Sequence, residues 1–442
     1  MPPEAAPRQP GSRSRLGIIF LTIFIDLLGF TIIFPLFPAI LAYYLKADGA
    51  GGVLGWLLGQ IESLAHLVGA RGNYREVLFG GILGSLDSFL QVVCAPVWGA
   101  LSDRIGRRKV LLVTVAGTAA SYLMWVFSGS FALFVLARLL GGAFAGNLSV
   151  ATAAVADVTS RENRAKGMGL VGVAFGLGFL FGPAIGSIAA FKDLTASHPG
   201  LAHFGINPFS VPAILSACFS IVNLVWITTR FRETLDPAHQ EAAEIVRIRH
   251  PVHELIAAEA GPARRTNWLY FVFTLSFSGM EFSLPFLAAD RFHYRPTDMW
   301  KMFAFLGLVA IFTQGGIVRQ AVPRFGEKAV LMWGLAVELV GLLITGLSPS
   351  EPGLYVGLAA IGLGSGLINP SVSALVSLYS RPEQQGRMLG VFRSLGSLAR
   401  GFGPVSACLL YWWQGPSLTY GLAALVLAAP WIMALPLPKP HR

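Results

Sequence analysis

Twelve apolar runs, each long enough to form a membrane-spanning helix, divide this chain from end to end. About 20 apolar residues in helical form cross the hydrocarbon of a bilayer. Only 13% of the residues are charged, against about 25% in soluble proteins, so the runs are not the interior of an ordinary globular protein. We therefore predict an all-α polytopic membrane protein. The predicted helices lie near residues 16–45, 77–100, 109–128, 131–157, 165–191, 209–229, 267–289, 299–321, 329–347, 353–378, 386–413 and 417–437.

The longest connection between the runs divides them into two sets of six. We predict an N-terminal six-helix bundle at 1–229, a cytoplasmic linker at 230–266 and a C-terminal six-helix bundle at 267–442. The two halves repeat each other, because the segment ending in Gly182-Pro183 aligns with the segment ending in Gly403-Pro404. The repeat therefore predicts two halves that are built alike.

The positive charges of the chain indicate its orientation in the membrane. The formal net charge is +10, but most of the 33 lysines and arginines stand in short clusters in the segments that lie on the same side of the membrane as the N-terminus. Such clusters mark the cytoplasmic face, so we predict that both termini are cytoplasmic, in a plasma membrane or a bacterial inner membrane. The clusters do not form one groove-sized face, which argues against nucleic-acid binding.

The loop after the second run reads GALSDRIGRRK from Gly99 to Lys109. It resembles the signature loop G-x-L-x-D-R-x-G-R-R-K between the second and third helices of the major facilitator superfamily. The resemblance implies the major facilitator fold, with twelve transmembrane helices in two six-helix bundles, and the activity of a secondary transporter. We predict that Asp103, Arg104 and Arg107 in this loop take part in gating, together with Asp157 at the cytoplasmic end of the fourth span.

A glycine pattern in the fifth span narrows the resemblance. The pattern consists of Gly169, Gly178, Gly182, Pro183 and Gly186. It resembles the antiporter motif G-x8-G-x3-G-P-x2-G-G, with a serine in place of the last glycine. A bent helix with a glycine face can pack closely against a neighbouring span. The pattern is therefore compatible with antiport and equally with packing alone.

Several charged side chains stand inside the predicted spans, where each costs roughly 2.5–3.5 kcal/mol and needs a partner or a function. The resemblance implies that the first, fourth, seventh and tenth helices line a central cavity, which would collect Asp26, Arg138 and Glu281. We predict that Asp26 carries the coupling proton and pairs with Arg138 in one state, with Glu281 as the rival carrier. Static ion pairs are the alternative, and for Asp87 and Glu338 a structural role is favoured. The predicted substrate-binding residues are Asp26, Gln91, Arg138, Glu281, Asn369 and Arg393.

Two arginines of the eleventh span are seven residues apart and therefore share a helix face. Arg400 precedes the packed end of the repeat motif, so we predict that it holds the bundle and serves gating. Arg393 is the predicted partner of the substrate or of Glu281.

The run from Gln91 to Pro96 leading into GALSDRIGRRK resembles the tetracycline-transporter branch of the drug:proton antiporters. The resemblance implies a proton-coupled antiporter that exports small organic or drug-like molecules by alternating access, as a functional monomer in the lipid bilayer. Ser278–Glu281 and Arg393–Gly396 resemble eukaryotic members suspected of carrying organic anions, and an organic-anion transporter or facilitator using Arg393 and Arg400 is the alternative. A receptor or scaffold that moves nothing is a remote third reading. No catalytic arrangement, metal-ligand spacing or phosphate-binding loop is present in the sequence, so we predict no enzyme activity, no cofactor and no metal.

Overall fold

The computed structural model describes residues 12–47, 51–68, 75–159, 164–235, 261–380 and 385–439, and within these ranges it is helical, without β-strands. Twelve long helices, numbered here α1 to α12, account for most of the chain. Three of them, α1, α4 and α8, consist of consecutive segments. Their bounds are α1 Ser12–Thr31 continued by Phe37–Ala47, α2 Arg75–Ile105, α3 Arg107–Val126, α4 Phe131–Phe144 continued by Asn147–Val158, α5 Arg164–Ala189, α6 Ser210–Arg230, α7 Pro262–Phe292, α8 Met299–Phe312 continued through a π-helical turn at Thr313–Ile317 by Val318–Phe325, α9 Glu327–Leu347, α10 Glu351–Leu378, α11 Gln385–Gln414 and α12 Pro416–Ala434.

Ten of these helices in the described part are long and apolar enough to cross a membrane, and α2 becomes an eleventh if its two bent segments count as one span. The twelfth is α11, whose 30 residues extend about 45 Å at 1.5 Å per residue. Its length is sufficient, although it carries Arg393 and Arg400. The architecture is thus twelve membrane helices, as the sequence predicts.

Each half packs as a six-helix bundle. In the N-terminal half α1 contacts α4, α5 and α6, and α3 contacts α4 and α6. In the C-terminal half α7 contacts α10, α11 and α12, and α9 contacts α10 and α12. The two halves meet mainly through α2 against α11 and α5 against α8.

The described chain begins and ends at the same face of the bundle, which we call the terminal face. Near the start of α5, an added Cβ at Gly167 would come within 3.8 Å of Leu16 near the start of α1. Lys328, at the start of α9, donates to the backbone oxygens of Leu435 and Leu437 just after α12. The turn between α2 and α3 also lies at this face.

At the opposite face, a further helix, Gly52–Val68, connects α1 to α2. Its Leu54 is buried whereas Trp56 is 63% exposed. This helix therefore has one side chain packed against the bundle and another at the surface.

The two halves are closed against each other near the opposite face by aromatic side chains. The ring of Phe282 in α7 lies 4.8 Å from that of Phe37 and 6.3 Å from that of Phe34, both at the junction between the two segments of α1. In α2, Gly84 leaves room for Phe282, and Gly80 leaves room for Phe286. The space between the halves therefore lies between this closure and the terminal face.

The glycine pattern of α5 faces α1. Gly178, Gly182 and Gly186 stand beside Leu27, Thr31 and Ile32 so closely that an added Cβ would overlap them. The hydroxyl of Thr31 donates to the carbonyl oxygen of Gly178 at 2.9 Å. Pro183 is buried within the helix, and the surroundings of Gly169 are outside the described part. The pattern thus joins two helices of one bundle, which is its packing role.

We predict that Gly182→Ala lowers the stability of the protein, by about 1–3 kcal/mol, because overpacking outweighs the better helix propensity of alanine. Gly172→Ala in the same helix is the matched control, since nothing lies within 4 Å of an added Cβ there. Thermal unfolding of the purified protein in detergent measures both. Equal effects of the two substitutions would contradict the close α1–α5 contact.

Candidate functional site

A cavity with a volume of about 450 Å³ lies between the two halves. We call it the main cavity. It is bounded by α5, α7, α8, α10 and α11, and its lining residues on α7, α10 and α11 lie mainly in the parts nearer the terminal face. Six aromatic residues line it: Phe175, Phe179, Tyr270, Phe277, Phe303 and Phe392. The polar lining consists of Glu281, Gln314, Ser365, Asn369, Ser373, Ser377 and Arg400.

Arg400 is the cation of the main cavity. Its guanidinium carbon lies 5.1 Å from the ring centre of Phe175 and 5.7 Å from that of Phe179, both within cation–π range. The two rings are themselves stacked, with centres 6.1 Å apart on successive turns of α5. Arginine on α11 and the aromatic pair on α5 therefore connect the C-terminal and N-terminal halves.

Glu281 is the carboxylate of the main cavity. The residue is 6% exposed, and Arg400 is the charged group that acts on it electrostatically. Pro285 lies inside α7, one turn further along, and Phe282 of the closure follows Glu281 directly. The same short stretch of α7 thus contributes both to the main cavity and to the contact that closes the opposite face.

A second, smaller space of about 60 Å³ lies deeper in the N-terminal half, and we call it the small chamber. Its polar lining consists of Asp26, Asp87, Ser88, Gln91, Thr118, Tyr122, Arg138, Asn147, Ser397 and Arg400. Asp26 accepts a hydrogen bond from Nδ2 of Asn147 at 2.5 Å. Gln91 donates to the carbonyl oxygen of Ala145 at 3.3 Å.

Arg138 pairs with a different carboxylate from the one that the sequence suggests. It is 2% exposed, and its Nη1 lies 3.7 Å from Oδ2 of Asp87. Its guanidinium also stacks over Trp125, 5.0 Å from the ring centre. In this conformation Asp26 is bonded to Asn147 instead, so the expected Asp26–Arg138 pair is replaced by an Asp87–Arg138 pair on α2 and α4.

The remaining predicted binding residues fall in different places. Asn369 lines the main cavity and donates to the carbonyl oxygen of Ser365 at 3.1 Å. Arg393 belongs to α11, but its side chain lies outside the described part. Arg400, which the sequence assigns to gating, lines both the main cavity and the small chamber. Arg400, which was predicted to serve gating, therefore lies in the cavity where Arg393 was expected to bind the substrate.

Three side chains matter here that the sequence analysis did not single out. Phe175 and Phe179 form the wall shared by both spaces, and their spacing of four residues among glycines was the available signal. Gln314 lines the main cavity from the π-helical turn of α8, which no pattern in the sequence announces. Glu338, by contrast, is fully buried in α9, and it is absent from the lining of both spaces.

At the terminal face, Arg107 is the centre of a polar network. Its Nη1 lies 2.5 Å from Asp103 and 2.6 Å from Oγ of Ser102, and its Nε donates to Asp157 at 3.0 Å. Asp157 also accepts from the hydroxyl of Thr234 at 3.2 Å. Arg104 is exposed at the same face.

Glu233, just after α6, caps the start of α3. Its carboxylate accepts the backbone N–H groups of Arg107 at 2.9 Å and Arg108 at 3.1 Å. A negative charge at a helix N-terminus is stabilising. Gly106 has a φ of 102°, which favours glycine, and an added side chain there would collide with this carboxylate. The signature loop is therefore fixed to α4 and to the end of α6.

Comparison with known families agrees with this geometry. The family model described as Major Facilitator Superfamily matches residues 19–323 and 320–442. The chain belongs to the major facilitator superfamily. Members of the major facilitator superfamily are transporters and not enzymes, so this chain is a multi-pass membrane transporter.

Relatives from animals and bacteria cover almost the whole chain. Major facilitator superfamily domain-containing protein 10 of Bos taurus is 33% identical over 462 residues, with 100% of this chain and 96% of the relative covered. The Homo sapiens protein of the same name is 34% identical, with 92% and 90% covered. The class C tetracycline resistance protein of Escherichia coli is 28% identical, with 89% and 93% covered.

Two solved structures are similar in fold. The crystal structure of the human organic anion transporter MFSD10 (TETRAN) superposes with a TM-score of 0.75 at 33% identity, covering 96% of this chain and 100% of that one. A bacterial homolog of the human lysosomal transporter Spinster, in an inward-facing and unoccupied conformation, gives 0.68 at 15% identity, with 97% of each chain covered. The second likeness shows the fold alone.

We predict that Arg107→Lys lowers the apparent unfolding temperature by a few degrees. Lysine keeps the charge but loses the fork geometry that joins Asp103, Ser102 and Asp157. Arg104→Lys is the matched control, because that side chain is exposed three residues away. Thermal denaturation in detergent compares them, and an equal decrease for both variants would contradict the structural role of Arg107.

Proposed function

We propose that the protein is a secondary transporter of organic anions, which bind in the main cavity with their negative group on Arg400. The observation that carries the proposal is the position of Arg400, a cation that lines the cavity between the two halves. Arginine presents several N–H donors in a planar fork, which suits carboxylate, sulfonate and phosphate groups.

The lining supports a substrate with an aromatic or other apolar body. Six aromatic residues surround a space of about 450 Å³, which falls within the usual range of small-molecule sites. Gln314, Asn369 and the serines of α10 can orient polar substituents. An amphipathic anion is the class that this combination of one cation and many rings fits best.

Glu281 supplies a route to proton coupling. When ionised, its carboxylate competes with the substrate for the charge of Arg400; when protonated, it no longer competes. Proton binding and anion binding then support each other, as linkage between two ligands requires. The transporter would move the anion together with a proton.

The relatives support the anion over other substrates. The structure named as a human organic anion transporter is 33% identical to this chain along nearly its full length. The tetracycline resistance proteins are less similar, at 28% identity for class C.

Proton-coupled export of drug-like molecules by antiport is the second candidate, and Asp26 favours it. This half-buried carboxylate lines the small chamber with a neutral partner, Asn147, and could exchange a proton for a cationic or zwitterionic substrate. In antiport, proton and substrate compete, so acid weakens substrate binding. A receptor or scaffold, the third reading, would bind ligand without moving it.

We further propose the membrane setting. The distribution of positive charge supports a cytoplasmic terminal face, which would make the present conformation open toward the cytoplasm. The network of Asp103, Arg107 and Asp157 would then support gating by holding the cytoplasmic ends of α2, α3 and α4 together within the N-terminal half. The main cavity is complete within one chain, which supports a functional monomer in a plasma or bacterial inner membrane.

We predict that Arg400→Gln reduces uptake of 4-butylbenzenesulfonate by about 30-fold or more, because removing one partner of a desolvated charge pair is that costly. Uptake is measured with the full-length protein in liposomes under an imposed pH gradient. A sulfonate stays ionised throughout, so it does not cross the bilayer as a neutral acid. Arg400→Lys should retain part of the activity.

Arg393→Gln, measured in parallel, decides between the two arginines of α11. The proposal expects a smaller loss for Arg393→Gln than for Arg400→Gln. If Arg393→Gln abolishes uptake and Arg400→Gln does not, the anion site belongs to Arg393. If the unmodified protein takes up none of a panel of aryl sulfonates and carboxylates, the proposed function is wrong.

We predict that acid strengthens sulfonate binding to the unmodified protein and that Glu281→Gln abolishes this pH dependence. The reason is that protonated Glu281, like glutamine, does not compete for Arg400. Equilibrium binding of the labelled sulfonate across pH measures it, and Glu338→Gln is the control for a buried carboxyl outside the cavity. Weaker binding in acid would instead favour antiport.

A further inference from the structure

The main cavity and the small chamber share one wall. Phe175, Phe179 and Arg400 line both spaces, and Arg400 lies over the two rings. These three side chains therefore form a partition, which separates the aromatic main cavity from the polar chamber behind it.

Three side chains on one side of the small chamber present hydrogen-bond acceptors to it. Asp26 is a carboxyl group whose described partner is the neutral amide of Asn147. Because Nδ2 of Asn147 donates to Asp26, its Oδ1 remains an acceptor, and because Nε2 of Gln91 donates to Ala145, its Oε1 remains one as well. Three acceptors thus line the same chamber.

Two arginines also face the small chamber. Arg138 is almost fully buried, paired with Asp87 and stacked over Trp125, and its Nε and Nη2 have no hydrogen-bond partner among the described residues. Arg400 faces the chamber from α11. If an anion in the main cavity draws Arg400 away, Asp26 keeps the neutral Asn147 as its described partner, and Arg138 stays beside Asp87.

We propose that the small chamber is a second substrate subsite, which receives the hydrogen-bond-donating head of an elongated organic anion whose negative end is bound to Arg400. The inference rests on the proposed function and adds a substrate class to it: anions with an ammonium, amidinium or similar donor group at the far end. The anion pulls Arg400 off the rings of Phe175 and Phe179, the partition opens, and the donor head reaches Asp26, Asn147 and Gln91.

The size of the chamber suits such a head. One buried water needs a cavity volume of roughly 10–15 Å³. The chamber volume of about 60 Å³ therefore admits an ammonium group together with a few waters. The apolar part of the molecule would remain between the rings of the partition and the main cavity, where aromatic contacts are available.

The test compares 4-(ω-aminoalkyl)benzenesulfonates with the alkyl sulfonates of equal length, at two, four and six methylene groups. Each compound competes with labelled 4-butylbenzenesulfonate for equilibrium binding to the full-length protein. We expect the amine to bind about tenfold more tightly than its alkyl match at one of these lengths, as a charge-assisted hydrogen bond implies.

Substitutions in the small chamber test whether the preference for the amine arises there. Asp26→Asn should bring the amine-to-alkyl ratio close to one, whereas Asp26→Glu should retain part of it. Phe179→Ala removes half of the partition and should favour the longest amine over the shortest. Phe277→Ala, an aromatic of the main cavity that does not line the chamber, is the matched control and should leave the ratio unchanged.

The possible results separate failure of the subsite from failure of the proposed function. Equal binding of amines and alkyl compounds at every length, with binding still dependent on Arg400, overturns the subsite and leaves organic-anion transport standing. A preference for amines that persists in Asp26→Asn overturns the assignment to the chamber. Absence of any Arg400-dependent sulfonate binding overturns both the subsite and the proposed function.

Discussion

A positive charge held inside the membrane is the constraint on which this structure depends. An arginine at that depth costs several kcal/mol unless it is compensated. Arg400 is compensated from two sides: by the rings of Phe175 and Phe179 in the N-terminal half, each worth about 0.5–2 kcal/mol, and by Glu281 in its own half. The requirement to place Arg400 therefore fixes α5, α7 and α11 relative to one another, and the main cavity is the space that they leave.

Close packing of α11 makes that placement specific. Hydrocarbon gives helices no hydrophobic reason to associate, so small residues and interhelical hydrogen bonds hold them together. Gly279 of α7 and Gly403 of α11 leave no room for a side chain between the two helices, and Ser278 donates to the carbonyl oxygen of Ala399 at 3.2 Å. Ala399, which accepts this bond, directly precedes Arg400 in the chain. On the other side, Gly81 of α2 fits against Cys408 of α11. The height and rotation of the arginine are thus set by contacts with both halves.

The sequence predicts the twelve spans, the repeat and the family, because apolar length, charge clusters and glycine spacing are local properties of the chain. It predicts the site less well. Arg393 and Arg400 share a helix face, but they differ by about 10 Å along the axis, and only the tertiary packing decides at which level the cavity lies. Likewise Asp26 and Asp87 are both within reach of α4 in principle. The choice of Asp87 as the partner of Arg138 depends on the rotation of α2, which no periodicity in this nearly all-apolar helix reveals.

Glu281 and Phe282 connect the cavity to the closure of the opposite face. Consecutive residues of a helix point about 100° apart, so α7 presents the carboxyl to the main cavity and the ring to Phe34 and Phe37 of α1. Aromatic contacts of this kind contribute about 0.5–1.5 kcal/mol each. The closure therefore depends on a few kcal/mol, which is the range that a bound ligand with different affinities for two conformations can supply. A rotation of α7 that breaks the contacts of Phe282 also moves Glu281 relative to Arg400. The opening of the far side and the displacement of Glu281 relative to Arg400 are then two consequences of one helix motion, without a longer chain of coupled residues.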